Sequence, residues 1–470
     1  MRNESKRVAA VLLLTMAISA GANVKAQTAN VGPSPRVFLL DAKQLQITQQ
    51  RIHAGDKNLS AAWARLERDA QKAISSGPFS IVTKGATPPS GDKHDYMSQA
   101  PYFWPNPKSP NGLPYISRDG ERNPEINQIT DHHSLDQLES SVETLALAYY
   151  FKGEEAYAAK AAALLRAFFV DPATRMNPNL QYAQFIPGVN TGRGIGLIET
   201  RGLPDVVDAI GLLARSKALT EDDRRGLQDW FGNFLQWMLE SKNGRAEAAA
   251  KNNHGTYYDL QVASFALFVG KKDLAVQVLE DARRKRIATQ IEPDGRQPLE
   301  LARTKAWSYS LMNLEGLMLL ATLGERSGVD LWSFQTTDGR SMRKALEFLT
   351  PVALGEWKWP YPEIGGAKPE ALFPLLRRAA AAYRDQEYQA LMSRLPEVDL
   401  ADRSRLLRAD FTKLKQVIIR RGLLSAGRIS NSASDQKSLK KLLTKFLSGH
   451  IVRAPNNMPG EHAQDKHHKL

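Results

Sequence analysis

Lys251-Asn252-Asn253-His254-Gly255-Thr256-Tyr257-Tyr258-Asp259 is the stretch around which this chain is organised. Two carboxamides and an imidazole stand side by side at the start of an apolar segment, Leu260 to Val269. Such groups can hold a carboxylate by hydrogen bonds without adding a fixed charge. A second polar knot lies further along, Glu300-Leu301-Ala302-Arg303-Thr304-Lys305-Ala306-Trp307-Ser308-Tyr309, and it leads into a second apolar segment, Leu311 to Leu323. Asn-His in one place and Arg…Tyr in the other make a carboxylate clamp with a phenol able to move a proton. That pairing points to an enzyme.

Outward from these two knots the pattern is helical. Leu135, Leu138, Val142, Leu145 and Tyr149 step by three and four, and Leu59, Ala62, Trp63, Leu66 and Ala70 share one stripe. Thr220-Glu221-Asp222-Asp223 reads as an N-cap with acids in the first turn, opening a helix with Trp230, Phe234 and Met238 on one face. Further helices are expected near 256–269, 272–289, 306–325, 341–353, 369–383 and 385–394. No stretch alternates as a strand would, and no dinucleotide, phosphate-loop or metal-ligand pattern is present, so neither cofactor nor metal is expected. Helices joined by short polar loops imply an all-α body of paired helices set around a ring or an arc, with functional residues gathered at one rim. The exception is His94 to Glu125, which is aromatic, polar and Pro-rich without either period. A long irregular stretch of this kind is often functional, and Tyr102 and Trp104 are candidates for stacking on sugar rings or for packing the loop down.

Charge divides the chain. Of the formal net charge of +13, residues 1–26 carry +3 and residues 401–470 carry +10, so 27–400 is balanced. A balanced body binds through placed residues and not through a bulk field, which argues against a nucleic-acid partner. Lys6, Arg7, the apolar run Val8 to Ala20 and the small-residue end at Val24-Lys25-Ala26 predict a secretory signal peptide cleaved after Ala26, and hence a periplasmic or secreted protein. No later segment approaches about 18 unbroken apolar residues, so no membrane association is expected of the mature form. With no cysteine, disulfides and thiol chemistry are excluded. The expected organisation is therefore a leader at 1–26, a helical body at 27–400 and a basic, loosely ordered tail at 401–470, whose His462, His467 and His468 read as a solvated end.

Several motifs together resemble the alginate-lyase-like family of exported polysaccharide lyases. They are Lys93-His94-Asp95-Tyr96, Ala100-Pro101-Tyr102-Phe103-Trp104-Pro105, Gly112-Leu113-Pro114-Tyr115, Asn123-Pro124-Glu125, Gly192-Arg193-Gly194-Ile195-Gly196, Asn252-Asn253-His254, and Glu300-Leu301 with Arg303-Thr304 and Tyr309-Ser310. The resemblance implies an (α/α) toroid, cleavage of uronate polymers such as alginate or glucuronan by β-elimination, and Asn253, His254, Arg303 and Tyr309 as the catalytic group.

The chemistry supports that group independently. Eliminating a 4-linked uronate requires a neutralised carboxylate, a base for the C5 proton and an acid for the departing O4. Asn253, His254 and Arg303 can provide the first, and Tyr309 can act as base and acid in turn, with Arg303 helping to ionise it. Six helical residues turn through roughly 600°, so Arg303 is expected in a loop or first turn after Pro298 with its arm reaching back. Gln184, Asn190, Arg193, Asn252 and Trp307 are further candidates for contact with an acidic polysaccharide. Two rival readings remain at this point. A glycoside hydrolase would use two carboxyl groups drawn from Asp131, Asp136, Glu199 and Asp259, and a non-catalytic carbohydrate-binding protein would need only the aromatic loop. His132-His133 with Asp131 makes a poor metal site, because adjacent side chains diverge.

Overall fold

A computed structural model describes residues 34–384, 386–394 and 399–408. The expected leader and the chain beyond residue 408 lie outside the described residues. Helices α1 (Ala42–His53) and α2 (Ser60–Ile74) come first, followed by the irregular stretch. Then come α3 (Asp131–Lys152), α4 (Glu155–Leu165), α5 (Leu203–Leu212), α6 (Glu221–Glu240), α7 (Lys242–Ala248) and α8 (Asn253–Phe268). After these run α9 (Lys272–Ala282), α10 (Ala306–Ser327), α11 (Met342–Ala353) and α12 (Phe373–Tyr383).

The architecture is an (α/α) toroid. Inner helices α3, α5, α8, α10 and α12 pack against one another in that order, while α4, α9 and α11 back them from outside. Asp205, Tyr257, Glu315 and Arg378, one each from α5, α8, α10 and α12, share one electrostatic neighbourhood, as side chains turned toward a common interior must. Helix α8 sits deepest, with almost every residue from Asn253 to Phe268 buried. An aromatic cluster fills the space between layers, with Phe169 edge-on to Trp230 at 4.6 Å and Phe231 against Phe265 at 5.1 Å.

Local chemistry sets the helix ends. The Thr220 hydroxyl accepts from Asp223 N–H while the Asp223 carboxylate accepts from Thr220 N–H, closing a capping box on α6. Gly153 and Gly328 end α3 and α10 in the left-handed conformation, at φ 79° and 83°. At the N-terminal side, Asp208 of α5 accepts the backbone N–H groups of Phe38, Leu39 and Leu40, which ties the lead-in to the ring.

Two features differ from expectation. Four short strands occur: β1 (Met97–Gln99) pairs in parallel with β4 (Tyr182–Phe185), and β2 (Phe103–Trp104) pairs antiparallel with β3 (Ile116–Ser117). They stitch the irregular aromatic stretch onto the rim. Gly196 permits the close approach to β4, because a Cβ there would lie 2.5 Å from the Ala183 Cβ. The packed body also continues past residue 400. Leu406 is buried, Arg403 reaches Glu143 at 3.3 Å and Thr144 Oγ1 at 2.9 Å, and Arg408 donates to Pro374 O. The boundary drawn at residue 400 therefore falls inside a packed segment, since the basic side chains there find acceptors on the body. Among the described residues no helix is long and apolar enough to cross a membrane.

Candidate active site

A cleft of about 1000 Å³ opens at the rim where the start of α8, the end of α7, the turn before α10 and the strand-bearing loops meet. Asn252, Asn253, His254, Arg303 and Tyr309 all line it, together with Tyr102, Gln184 and Arg193. The two polar knots are brought together because α8 and α10 are packed neighbours that begin at the same rim.

Arg303 lies in the turn between the short helix Pro298–Leu301 and α10, and its guanidinium reaches back over the Tyr309 ring, 4.0 Å from the centroid. Its partner is not the neighbouring Glu300. Asp119, from the loop after β3, receives Nε at 3.2 Å and one Nη at 2.6 Å, and also takes Thr304 N–H at 3.0 Å. Burial pushes the Asp119 carboxyl up, but the Arg303 and Thr304 hydrogen bonds outweigh it and hold it at about 2. The Tyr309 hydroxyl meets the Tyr102 hydroxyl at 2.9 Å. Burial first, then this hydrogen bond, raise the Tyr309 phenol well above its ordinary value, and the Arg303 charge offsets only part of the rise. Tyr309 is therefore a neutral phenol at rest; the expected help from Arg303 is present but does not dominate.

Asn253 is oriented from behind. Its backbone N–H and its Nδ2 each donate at 2.7 Å to the two oxygens of buried Glu300, leaving Oδ1 buried and without a partner among the described residues. His254 Nδ1 meets Glu247 Oε1 at 2.7 Å. Arg193 donates from Nε to Gln184 O at 3.1 Å and from one Nη to Gln184 Oε1 at 3.0 Å, and it lies over the Phe103 ring. Among the described residues no carboxylate stands within ion-pair distance of it, and burial lowers its basicity. Gln184 holds this grip from a left-handed backbone, φ 48°, an uncommon conformation for a residue other than glycine.

Other candidates fall elsewhere. Asn190 does not line the cleft; its Oδ1 accepts from Ile186 N–H and builds a turn. Trp104 is covered by Arg118 at 5.1 Å and donates Nε1 to Glu121 O, so it packs its loop. Trp307 is buried in the core, edge-on to Trp359 at 5.0 Å with Nε1 on Lys368 O. An aromatic beside the Arg…Tyr motif belongs there to the apolar stripe of α10, not to the cleft. Asp119, Glu247 and Glu300 are the residues that the sequence reading did not assign to the site.

The acids available to a hydrolase are committed. Asp131 forms a fully buried pair with Lys84 at 2.8 Å, Glu199 accepts the Tyr96 and Ser98 hydroxyls, and Asp259 is paired with Arg286. Asp136 alone stays open, 3.4 Å from His132. Of the three acids that line the cleft, Asp119 is held by Arg303 and Glu199 by the Tyr96 and Ser98 hydroxyls, which leaves Asp136 without a second open carboxyl group among the described residues, where hydrolysis would need two.

Comparison with known proteins agrees with this geometry. The family model described as alginate lyase matches residues 80–359. No curated protein matches the chain significantly. Among solved structures, an alginate lyase from Bacteroides ovatus shares 39% identity, with a TM-score of 0.76, over 80% of this chain and 99% of that one. Alginate lyase A1-III from Sphingomonas species A1 is 16% identical with a TM-score of 0.50 over 79% of this chain and 95% of its own, which speaks for the fold. A variant of that enzyme in complex with a tetrasaccharide gives 15% and 0.52 over 81% and 98%. With the rim cleft, its Asn-His and Arg…Tyr groups and these matches in agreement, the chain is a member of the alginate lyase family.

Proposed function

We propose that this protein is a polysaccharide lyase that cuts alginate at 1,4-linked uronate units by β-elimination, leaving a C4–C5 unsaturated end. The observation that carries the reading is the convergence of Asn253, His254, Arg303 and Tyr309 on one cleft, with the Tyr309 hydroxyl hydrogen-bonded to that of Tyr102, which also lines it. Tyr309 moves the proton. Once ionised, its oxygen takes the C5 proton, the C5–H electrons form the C4–C5 double bond, the C4–O4 bond breaks, and the phenol returns the proton to O4. One oxygen can do both where C5–H and O4 share a ring face, as in mannuronate and glucuronate, so mannuronate-rich chains are the favoured substrate and glucuronan a second one.

The uronate carboxylate is neutralised by hydrogen bonds from Nε2–H of the His254 imidazolium, from the second Nδ2 hydrogen of Asn253 and from the guanidinium groups. Among the described residues Arg303 keeps one Nη uncommitted beside Tyr309, and Arg193, which has no acid within ion-pair distance there, can take a second carboxylate. Exposure to solvent at a rim suits a long polymer, and an exported enzyme would meet it outside the cytoplasm.

The test is direct. Purified protein is offered alginate, polymannuronate, polyguluronate and glucuronan, and both ultraviolet absorbance and reducing ends are recorded. Absorbance rising in step with reducing ends on polymannuronate is expected. Reducing ends without absorbance would replace elimination with hydrolysis.

A further inference from the structure

We infer that Glu247 is a positioning residue for His254, fixing which ring nitrogen carries a proton and which one meets the uronate. This rests on the lyase reading above. Glu247 Oε1 lies 2.7 Å from His254 Nδ1, and the Glu247 side chain is only 1% exposed. An ionised carboxylate accepts and cannot donate, so Nδ1 must hold a proton. The nitrogen left for the cleft is then Nε2, which donates to a uronate carboxylate in the imidazolium while Nδ1–H stays on Glu247.

The carboxylate is built in, not incidental. Ser241 caps α7 through Gly244 N–H at 2.9 Å, and Glu247 stands near the end of that short helix. Gly194, next to Arg193, lets the rim segment press on α7, for a Cβ there would lie 2.6 Å from Asn243 O and 3.1 Å from Glu247 N. The second oxygen, Oε2, is buried and has no hydrogen-bond partner among the described residues. A buried carboxylate with one oxygen unsatisfied costs folding energy, and here the imidazole is what it serves. Glu300 does the parallel task for Asn253, so both halves of the Asn-His pair are held from behind by acids on different helices.

Two measurements test the assignment. In the wild-type chain labelled at histidine, ¹⁵N spectra, with His254→Gln used for assignment, should show His254 protonated at Nδ1. In Glu247→Gln the carboxamide can donate as well as accept, so the tautomer should become mixed. With the fold intact by thermal melting, kcat on polymannuronate should then fall at least about 10-fold, the lower end of what removing a carboxylate that orients a functional imidazole costs. KM should move less than kcat, and Glu247→Asp should recover part of the loss. A wild-type His254 carrying its proton on Nε2 alone overturns the inference, as does a folded Glu247→Gln enzyme with kcat within threefold of wild type. Should Glu247→Gln not fold, the wild-type spectrum decides. If the wild type cleaves no uronate polymer, the lyase reading fails while the tautomer is still measured.

Discussion

Replacing Tyr309 by Phe removes one oxygen and leaves the rest of the cleft in place, which makes its consequence calculable. Among the described residues the Tyr309 hydroxyl has one hydrogen-bond partner, Tyr102 at 2.9 Å, so the lost bond costs about 1 kcal/mol of stability and a melting shift of a degree or two. Catalysis loses far more. Positioned proton transfer contributes about 10²–10⁴-fold, or roughly 3–5 kcal/mol of barrier. The carboxylate contacts from Asn253, His254, Arg193 and Arg303 do not pass through the phenol oxygen, so KM should change little. The pH profile adds a second signature. A phenol ionises near pH 10 in water, so at pH 8 only about 1% is phenolate, and burial lowers that fraction further. If the phenolate is the base, wild-type kcat/KM must climb toward tenfold per unit above neutrality and still be rising at pH 9. The assay is initial-rate absorbance on polymannuronate from pH 6 to 10 for both proteins. A Tyr309→Phe enzyme with near-normal kcat, or a wild-type profile flat above pH 7, would refute the phenol mechanism.

Four shorter predictions accompany it. Tyr102→Phe removes a contact that raises the Tyr309 phenol, so the alkaline rise in kcat/KM should move to lower pH; a shift the other way would mean that Tyr102 chiefly steadies the phenolate. Asp119 is held at about 2, below its ordinary value, so its pairing with Arg303 contributes stability that is whole above about pH 4 and lost as pH falls toward 2. Allowing for its partial exposure, that is about 1 kcal/mol, visible as a melting difference from Asp119→Asn at pH 5 that vanishes near pH 2. Trp307→Ala should cost about 3–5 kcal/mol in denaturant unfolding without a specific rise in KM, because the ring is core and not cleft. Truncation after residue 408 should leave a cooperative melt at the full-length temperature. Truncation after residue 400 should lower it, by at least the roughly 2 kcal/mol of burying Leu406.

Much of the body was legible because long helices repeat their signal. The helix expected near 256–269 and the N-cap at Thr220 came from residue types and spacing; the structure gives Asn253–Phe268 and completes the cap as a capping box. Strands of two to four residues contain too little of a period to be seen, and so the pairing of β1 with β4 went unread. The gathering of Asn253, His254, Arg303 and Tyr309 in one cleft was legible because two motifs open two neighbouring apolar helices. Their supporting acids were not. Asp119 lies 184 residues before Arg303, and nothing local couples them. Glu247 is only seven residues before His254, but α7 is too short to show a hydrophobic period. Glu300 invited pairing with Arg303 by proximity, yet the end of the Pro298–Leu301 helix sends the two side chains to different partners. Trp307 misled for the opposite reason, since an aromatic beside a functional motif can equally be the first core residue of the helix that follows.

The Arg303–Asp119 pair has a consequence for what happens after the bond is cut. A lyase working on a polyanion makes two charged fragments, and both must leave before the next cycle. An unbalanced guanidinium at the scissile position would grip the product carboxylate as firmly as the substrate's and so slow dissociation without lowering the barrier. Asp119 balances that charge in advance, so Arg303 can polarise the reacting groups while adding little to product retention. On the role proposed for Arg303, the loop after β3 would protect the turnover number by limiting affinity, and any change that frees Arg303 should show itself first in slower product release.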